Sequence, residues 1–317
     1  MRRRDFITLL GGAAAWPRAA RGQLSNVPRV GILLIAGPDL MGPFREALAD
    51  LGYVEGKNIE FDVRSAQGQT NRLPELAAEL VRSKVDVIVA AQTPSILAAQ
   101  AATRDIPIVM APAGNPIESG LVTSLARPGG NTTGVAAASA ELASKSLELI
   151  PEFVPTARRV GVLGNAEDPF VRQFLDEIQK GAPAVRLEVR PITISHRDEL
   201  EGAFAAMVRE QVDAVIVQPS LPVKLTVDLA LKYRLPSLSL PKSDVQAGRL
   251  ASLGGSLAER GRQIAGYIDK ILRGAKPADL PIQQPTRFEI AINLKTAKAL
   301  GLTISPMLLA RADEVIE

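Results

Sequence analysis

The side chains that could touch a ligand in this 317-residue chain are mostly short and polar, and they stand just after apolar runs. Gln92, Thr93 and Ser95 follow the run 86–90, and Asn115 follows 106–110. In the second half, Asn165 and Asp168 follow 159–163, Gln218 and Ser220 follow 213–217, and Asp244 closes the series. Such a set supplies hydrogen-bond donors, acceptors and carboxylates, which suits reversible capture of a small molecule. It does not supply a nucleophile beside a base. The single histidine, His196, sits in Ser195-His196-Arg197-Asp198 ahead of a helix and reads as a solvated loop residue. Cysteine is absent from the chain, so disulfides, catalytic thiols and thiolate metal sites are excluded. No phosphate-cradling loop with its lysine, dinucleotide fingerprint or nucleophile elbow occurs. Glu167 and Asp168 are adjacent carboxylates at a helix start, where they serve the positive end of the dipole. The expected chemistry is therefore binding, with no catalytic residue, metal or cofactor.

These residues need a scaffold that brings them together. Val- and Ile-rich runs alternate with segments of helical period, the pattern of βαβ units and parallel sheets. Strands are expected at 29–35, 58–64, 86–90 and 106–110, and helices near 40–51, 70–82 and 95–103. The second half repeats the first. Arg29-Val30-Gly31-Ile32-Leu33 is echoed by Arg159-Val160-Gly161-Val162-Leu163, Asp86-Val87-Ile88-Val89 by Asp213-Ala214-Val215-Ile216-Val217, and Ile106-Pro107 by Leu235-Pro236. The offsets are 130, 127 and 129 positions, and three echoes in one order at nearly one offset imply two equivalent lobes. Ligands of open α/β sheets bind beyond the carboxyl ends of the strands, where helix N-termini offer free N–H groups. That rule selects the loops 36–41, 91–95 and 111–115 in the first lobe and 164–168, 218–220 and 241–244 in the second. Within them Thr93, Asp168 and Ser220 stand where capping side chains would. Turn chemistry at 127–131, 248–255 and 276–285 marks the places where the chain passes between lobes, about three times, as a multi-strand hinge requires.

Residues 1–22 read as an export signal: Arg2, Arg3 and Arg4 precede a short apolar run and then small residues. Arg3-Arg4-Asp5-Phe6-Ile7 has the twin-arginine arrangement. Five of the 37 basic and one of the 34 acidic residues lie in this segment, which leaves 32 against 33. The basic balance thus belongs to the leader and gives no argument for nucleic acid. The expected division is 27–135 plus 251–280 for the first lobe and 136–250 plus 281–317 for the second.

Longer strings carry a resemblance. Leu51-Gly52-Tyr53-Val54-Glu55-Gly56-Lys57-Asn58-Ile59, Arg72-Leu73-Pro74-Glu75-Leu76-Ala77-Ala78-Glu79-Leu80-Val81 and Gly120-Leu121-Val122-Thr123-Ser124-Leu125-Ala126-Arg127-Pro128-Gly129-Gly130-Asn131-Thr132-Thr133-Gly134 are similar to the ABC transporter substrate-binding family that includes tryptophan-binding lipoproteins. So are Gly274-Ala275-Lys276-Pro277-Ala278-Asp279-Leu280-Pro281 and Asn293-Leu294-Lys295-Thr296-Ala297-Lys298-Ala299-Leu300-Gly301-Leu302. The resemblance implies a type I periplasmic-binding fold, with two Rossmann-like lobes closing on a small ligand. It also implies cleft segments at 92–95, 113–115, 165 and 218–220, which adds Ala113 to the candidates. Two departures stand out: Asn115-Pro116-Ile117 replaces the relatives' Asp-Pro-Val, and Ser252-Leu253-Gly254 replaces their Ser-Tyr-Gly.

The expectation is a periplasmic, monomeric binding component of an ABC importer, with a permease and its ATPase as partners and no nucleic acid. Its ligand is expected to be a small organic solute, an amino acid or another carboxylate. A periplasmic sensor for a signalling receptor, or a hydrolase or isomerase on the same scaffold, are the competing classes.

Overall fold

A computed structural model describes residues 27–35 and 41–317. The expected export signal and positions 36–40 of the first loop lie outside the described residues.

The first lobe is built from β1 (Arg29–Leu34), α1 (Met41–Asp50), β2 (Glu60–Ser65), α2 (Leu73–Arg82), β3 (Val87–Ala90), α3 (Thr93–Ala102), β4 (Ile108–Ala113) and β5 (Thr132–Ala136). Its five strands pair in the order β2-β1-β3-β4-β5, all parallel. Strands β1 and β3 are apolar along nearly their whole length because helices cover both faces of the sheet. In α2, Leu73, Leu76, Ala77 and Leu80 recur at helical spacing and are the buried residues of that helix.

The second lobe contains α4 (Ser139–Ser146), α5 (Ile150–Phe153), β6 (Arg159–Asn165), α6 (Val171–Gly181), β7 (Glu188–Ile194), α7 (Leu200–Arg209), β8 (Ala214–Val217), α8 (Val223–Lys232), β9 (Ser237–Ser239), α9 (Lys242–Gln246) and β10 (Ala251–Gly255). After α10 (Leu257–Leu272), which packs on α1, the chain returns to it with β11 (Phe288–Asn293), α11 (Leu294–Leu300), α12 (Pro306–Arg311) and β12 (Glu314–Ile316). The sheet order is β12-β11-β10-β9-β8-β6-β7, with only β10 and β11 antiparallel.

The order β7-β6-β8-β9 repeats β2-β1-β3-β4, and the repeat extends to single bonds. The Asp86 carboxylate accepts from Arg29 N at 2.7 Å, and that of Asp213 from Arg159 N at 2.9 Å. Arg29 pairs with Glu60 at 3.2 Å, as Arg159 does with Glu188 at 3.2 Å. The echoes in the sequence are thus the same strand-start lock used twice.

The backbone pairings move two expected boundaries. The expected division places 251–280 in the first lobe, yet β10 is hydrogen-bonded between β9 and β11 and belongs to the second. The crossing therefore falls at Ser256. Farther on, Ile282 and Gln283 still bond to Leu125 and Gly134 of the first lobe. The three crossings follow Ala136, Gly255 and Gln283. No helix among the described residues is long and apolar enough to cross a membrane.

Candidate functional site

The carboxyl ends of both sheets face one another across a cavity of about 150 Å³, a volume that holds a benzene-sized group. The first lobe contributes Gln92, Thr93, Ala113 and Gly114, and the second Asp168, Phe170, Gln218, Ser220 and Asp244. Leu34, Ile35, Leu142, Leu240 and Leu257 complete a largely apolar wall.

The lobes touch around this cavity. Gln92 Nε2 donates to the Pro219 carbonyl at 2.7 Å. The Gln92 backbone has φ 70°, a region that non-glycine residues rarely adopt, and its N–H is held by the Pro112 carbonyl at 2.9 Å. Gly114 lies flat against the Phe170 ring, so closely that a β-carbon there would stand 2.5 Å from the ring. A β-carbon on Gly68 would likewise stand 3.1 Å from Pro222.

Asp168 is held by a short relay. The Asn165 N–H donates to Gln218 Oε1 at 2.7 Å, which fixes the amide so that its Nε2 donates to Asp168 Oδ2 at 2.9 Å. The other carboxylate oxygen accepts from Phe170 N at 3.0 Å. Burial pushes the Asp168 carboxyl above the ordinary carboxylate range, opposed by the Phe170 N–H and the Ser220 hydroxyl. No cationic side chain lies within 4.0 Å of it among the described residues. Replacing Gln218 by leucine leaves the Asn165 N–H and one Asp168 oxygen unmatched. The expected cost is about 1–3 kcal/mol, measurable as a lower denaturant midpoint with an unchanged slope.

Asp244 differs. Its Oδ2 lies 3.2 Å from Nε of Arg249, a side chain without solvent exposure, whose other arm donates to Thr226 Oγ1 at 2.8 Å. Burial lowers the Arg249 pKa and Asp244 opposes that shift. The Asp244 charge is thus matched from inside the lobe.

Of the ten positions singled out in the sequence, Gln92, Thr93, Ala113, Asp168, Gln218, Ser220 and Asp244 line the cavity, whereas Ser95, Asn115 and Asn165 do not. Ser95 is fully buried with an unpartnered Oγ. Asn115 accepts from Ile117 N and Glu118 N and so closes a turn, and Asn165 Oδ1 accepts from Glu167 N. Thr93 and Ser220 do not cap: the residues flanking α3 and α8 are Gln92 and Pro222, neither with a side-chain cap. Sequence reasoning passed over Arg260, which lines the cavity from the end of the first turn of α10. Its side chain is partly exposed, and its one hydrogen bond goes to the Gly255 carbonyl at 3.4 Å. Burial pushes Arg260 down to about 10, opposed by Glu259 and Glu289. The available signal was a charged residue one turn past a Gly-Gly crossover, masked by the amphipathic pattern of the helix.

Two α/β lobes of like topology, crossed three times by the chain and walling a shared cavity, make up the type I periplasmic-binding fold, which more distant solved structures share. The chain belongs to the family of ABC transporter substrate binding proteins, whose model matches residues 38–316. It is 33% identical over 266 residues to a tyrosine-binding protein of Clostridioides difficile, covering 82% of this chain and 75% of that one. A Streptococcus pneumoniae ABC domain in complex with L-Trp shares 27% identity at a TM-score of 0.82, covering 91% of this chain and 99% of that one. A ligand-free, open substrate-binding protein with adhesive properties from Clostridium difficile shares 26% identity but only a TM-score of 0.62, covering 92% and 99%. At nearly equal identity, the whole chain thus superposes better on the complex with L-Trp than on the open protein.

Proposed function

We propose that the protein captures a small organic solute, an amino acid or a related carboxylate with an apolar body, and delivers it to an ABC importer. The observation that carries this reading is the cavity walled by strand-end loops of both lobes. A ligand touching both walls binds the closed arrangement better than the open one, so it shifts the population toward closure. A permease can then distinguish loaded from empty protein by shape. The names of the relatives, one binding tyrosine and one in complex with L-Trp, favour an aromatic amino acid. Export through the twin-arginine route to the periplasm follows from Arg3-Arg4-Asp5-Phe6-Ile7, and cell fractionation checks it.

The experiment is a thermal-shift screen of the purified protein against the L-amino acids and small organic acids, followed by calorimetry. A true ligand at a hundred times its Kd is expected to stabilise the protein by about 2.7 kcal/mol. Turnover of a bound compound, or no shift with any of them, would remove the reading.

A further inference from the structure

Two charges of opposite sign border the cavity, and among the described residues neither has an ion-pair partner within 4.0 Å. Asp168 is 3% exposed, accepts hydrogen bonds only from neutral donors, and is aimed into the cavity by the Gln218 amide. Arg260 approaches from the Gly255 side with only a carbonyl as hydrogen-bond partner. They do not pair with each other, since among the described residues no carboxylate lies within 4.0 Å of Arg260. Asp244 shows the contrast, because the lobe supplies it with Arg249 at 3.2 Å. A charge held at a cavity wall without a counterion becomes costly once water is displaced from it, unless a ligand completes it. Two such charges in one cavity call for a ligand that carries both complements.

We propose that the cleft recognises the backbone of an α-amino acid, with its carboxylate on the Arg260 guanidinium and its ammonium on Asp168. A guanidinium offers a planar fork matched to a carboxylate. Asp168, with one oxygen on Phe170 N and the other on Gln218, keeps lone pairs for an ammonium. The apolar wall of Leu142, Phe170, Leu240 and Leu257 then takes the side chain. Asp168 follows β6 in the second lobe, whereas Arg260 rides on α10, which packs against α1 of the first. One zwitterion therefore ties the two lobes together, and a molecule with only one of the charges engages one lobe. Asn115 is spent on its own turn and takes no part.

The proposal rests on reading the cavity as the solute site, and the test separates the two. Calorimetry of the whole protein uses three ligand sets: L-tyrosine with tyramine and 3-(4-hydroxyphenyl)propanoate, L-tryptophan with tryptamine and indole-3-propanoate, and L-leucine with isopentylamine and 4-methylpentanoate. At least one amino acid is expected to bind, with its amine and its acid each weaker by roughly thirtyfold or more. Arg260→Met should lose the preference for the amino acid over its amine, and Asp168→Asn that over its acid. Arg260→Lys, which keeps the charge without the fork, should fall between. Because the amide introduced by Asp168→Asn would set a donor against Gln218 Nε2, the pair Asp168→Asn with Gln218→Glu restores the hydrogen-bond polarity and is measured alongside, with circular dichroism to show folding. If an amino acid binds but its amine and acid bind equally well, or if each variant loses affinity for all three compounds alike, the charge assignment fails and the solute site stands. If none of the nine compounds binds while another small solute does, the amino-acid assignment fails alone. If no small solute binds, both fall.

Discussion

Gly114→Val is expected to lower ligand affinity by about a hundredfold while leaving the unfolding midpoint of the ligand-free protein within a degree or so of the parent. The three atoms nearest to a β-carbon at Gly114 all belong to the Phe170 ring, at 2.5, 2.6 and 2.8 Å. Gly114 follows β4 of the first lobe and Phe170 precedes α6 of the second, so the clash exists only while the lobes are together. The ring cannot swing aside cheaply. It is 4% exposed and stacks obliquely on Phe174 with centroids 6.0 Å apart. Overpacking of this kind costs about 1–3 kcal/mol, and the upper end corresponds to about a hundredfold in binding. When the binding-competent state becomes a minor one, apparent affinity falls by its fractional population. Calorimetry with the best ligand from the screen, and small-angle scattering with and without it, read the two halves of this expectation. Phe170→Ala placed on Gly114→Val should return part of the lost closure. A Gly114→Val protein that binds and compacts like the parent would show that the two lobes do not meet here when loaded.

How far the site could be read from the sequence depends on which part of each side chain's fate is local. Strand ends were legible because parallel strands buried on both faces are short apolar runs, and Val87–Ala90 and Ala214–Val217 are buried throughout. The polar residues just beyond such runs are the ones that reach a cleft, which is why Asp168 and Gln218, singled out in the sequence, stand on the cavity wall. What a strand-end residue does with its hydrogen bonds is not local. Asn165 donates its N–H to Gln218 Oε1 and accepts from Glu167 N at its side-chain oxygen, and those bonds hold it in the loop and off the cavity wall. Arg260 was hidden for a complementary reason. Charges on an amphipathic helix read as solvated, and only the crossing after Gly255 turns that stretch of α10 toward the cavity. The boundary at β10 was misplaced because a strand of five residues, Ala251–Gly255, carries no mark of which sheet it joins. The antiparallel pairing with Phe288–Asn293, more than thirty positions on, decides it.

The second large effect concerns stability. Arg249→Met is expected to cost about 3–5 kcal/mol, which lowers the melting temperature by on the order of 10 °C. Arg249 has 1% exposure and Asp244 3%, so removing the guanidinium takes the cationic partner at 3.2 Å away from a buried carboxylate. Thr226 Oγ1 and the region under α8 lose their donor at the same time. Removing both charges tells a different story: the Asp244→Leu, Arg249→Met double variant leaves no buried ion and is expected to recover most of the loss, since a well-packed apolar pair can match a buried ion pair. The same logic run on Asp168 predicts the opposite pattern, because among the described residues no cationic side chain lies within 4.0 Å of it, and added ligand is then expected to stabilise it. Denaturant titrations of the four Asp244 and Arg249 combinations, each with and without ligand, measure the coupling directly. Equal stability of Arg249→Met and the parent would show that Asp244 is compensated from the cavity side, and would make it, rather than Asp168, the carboxylate that awaits a ligand.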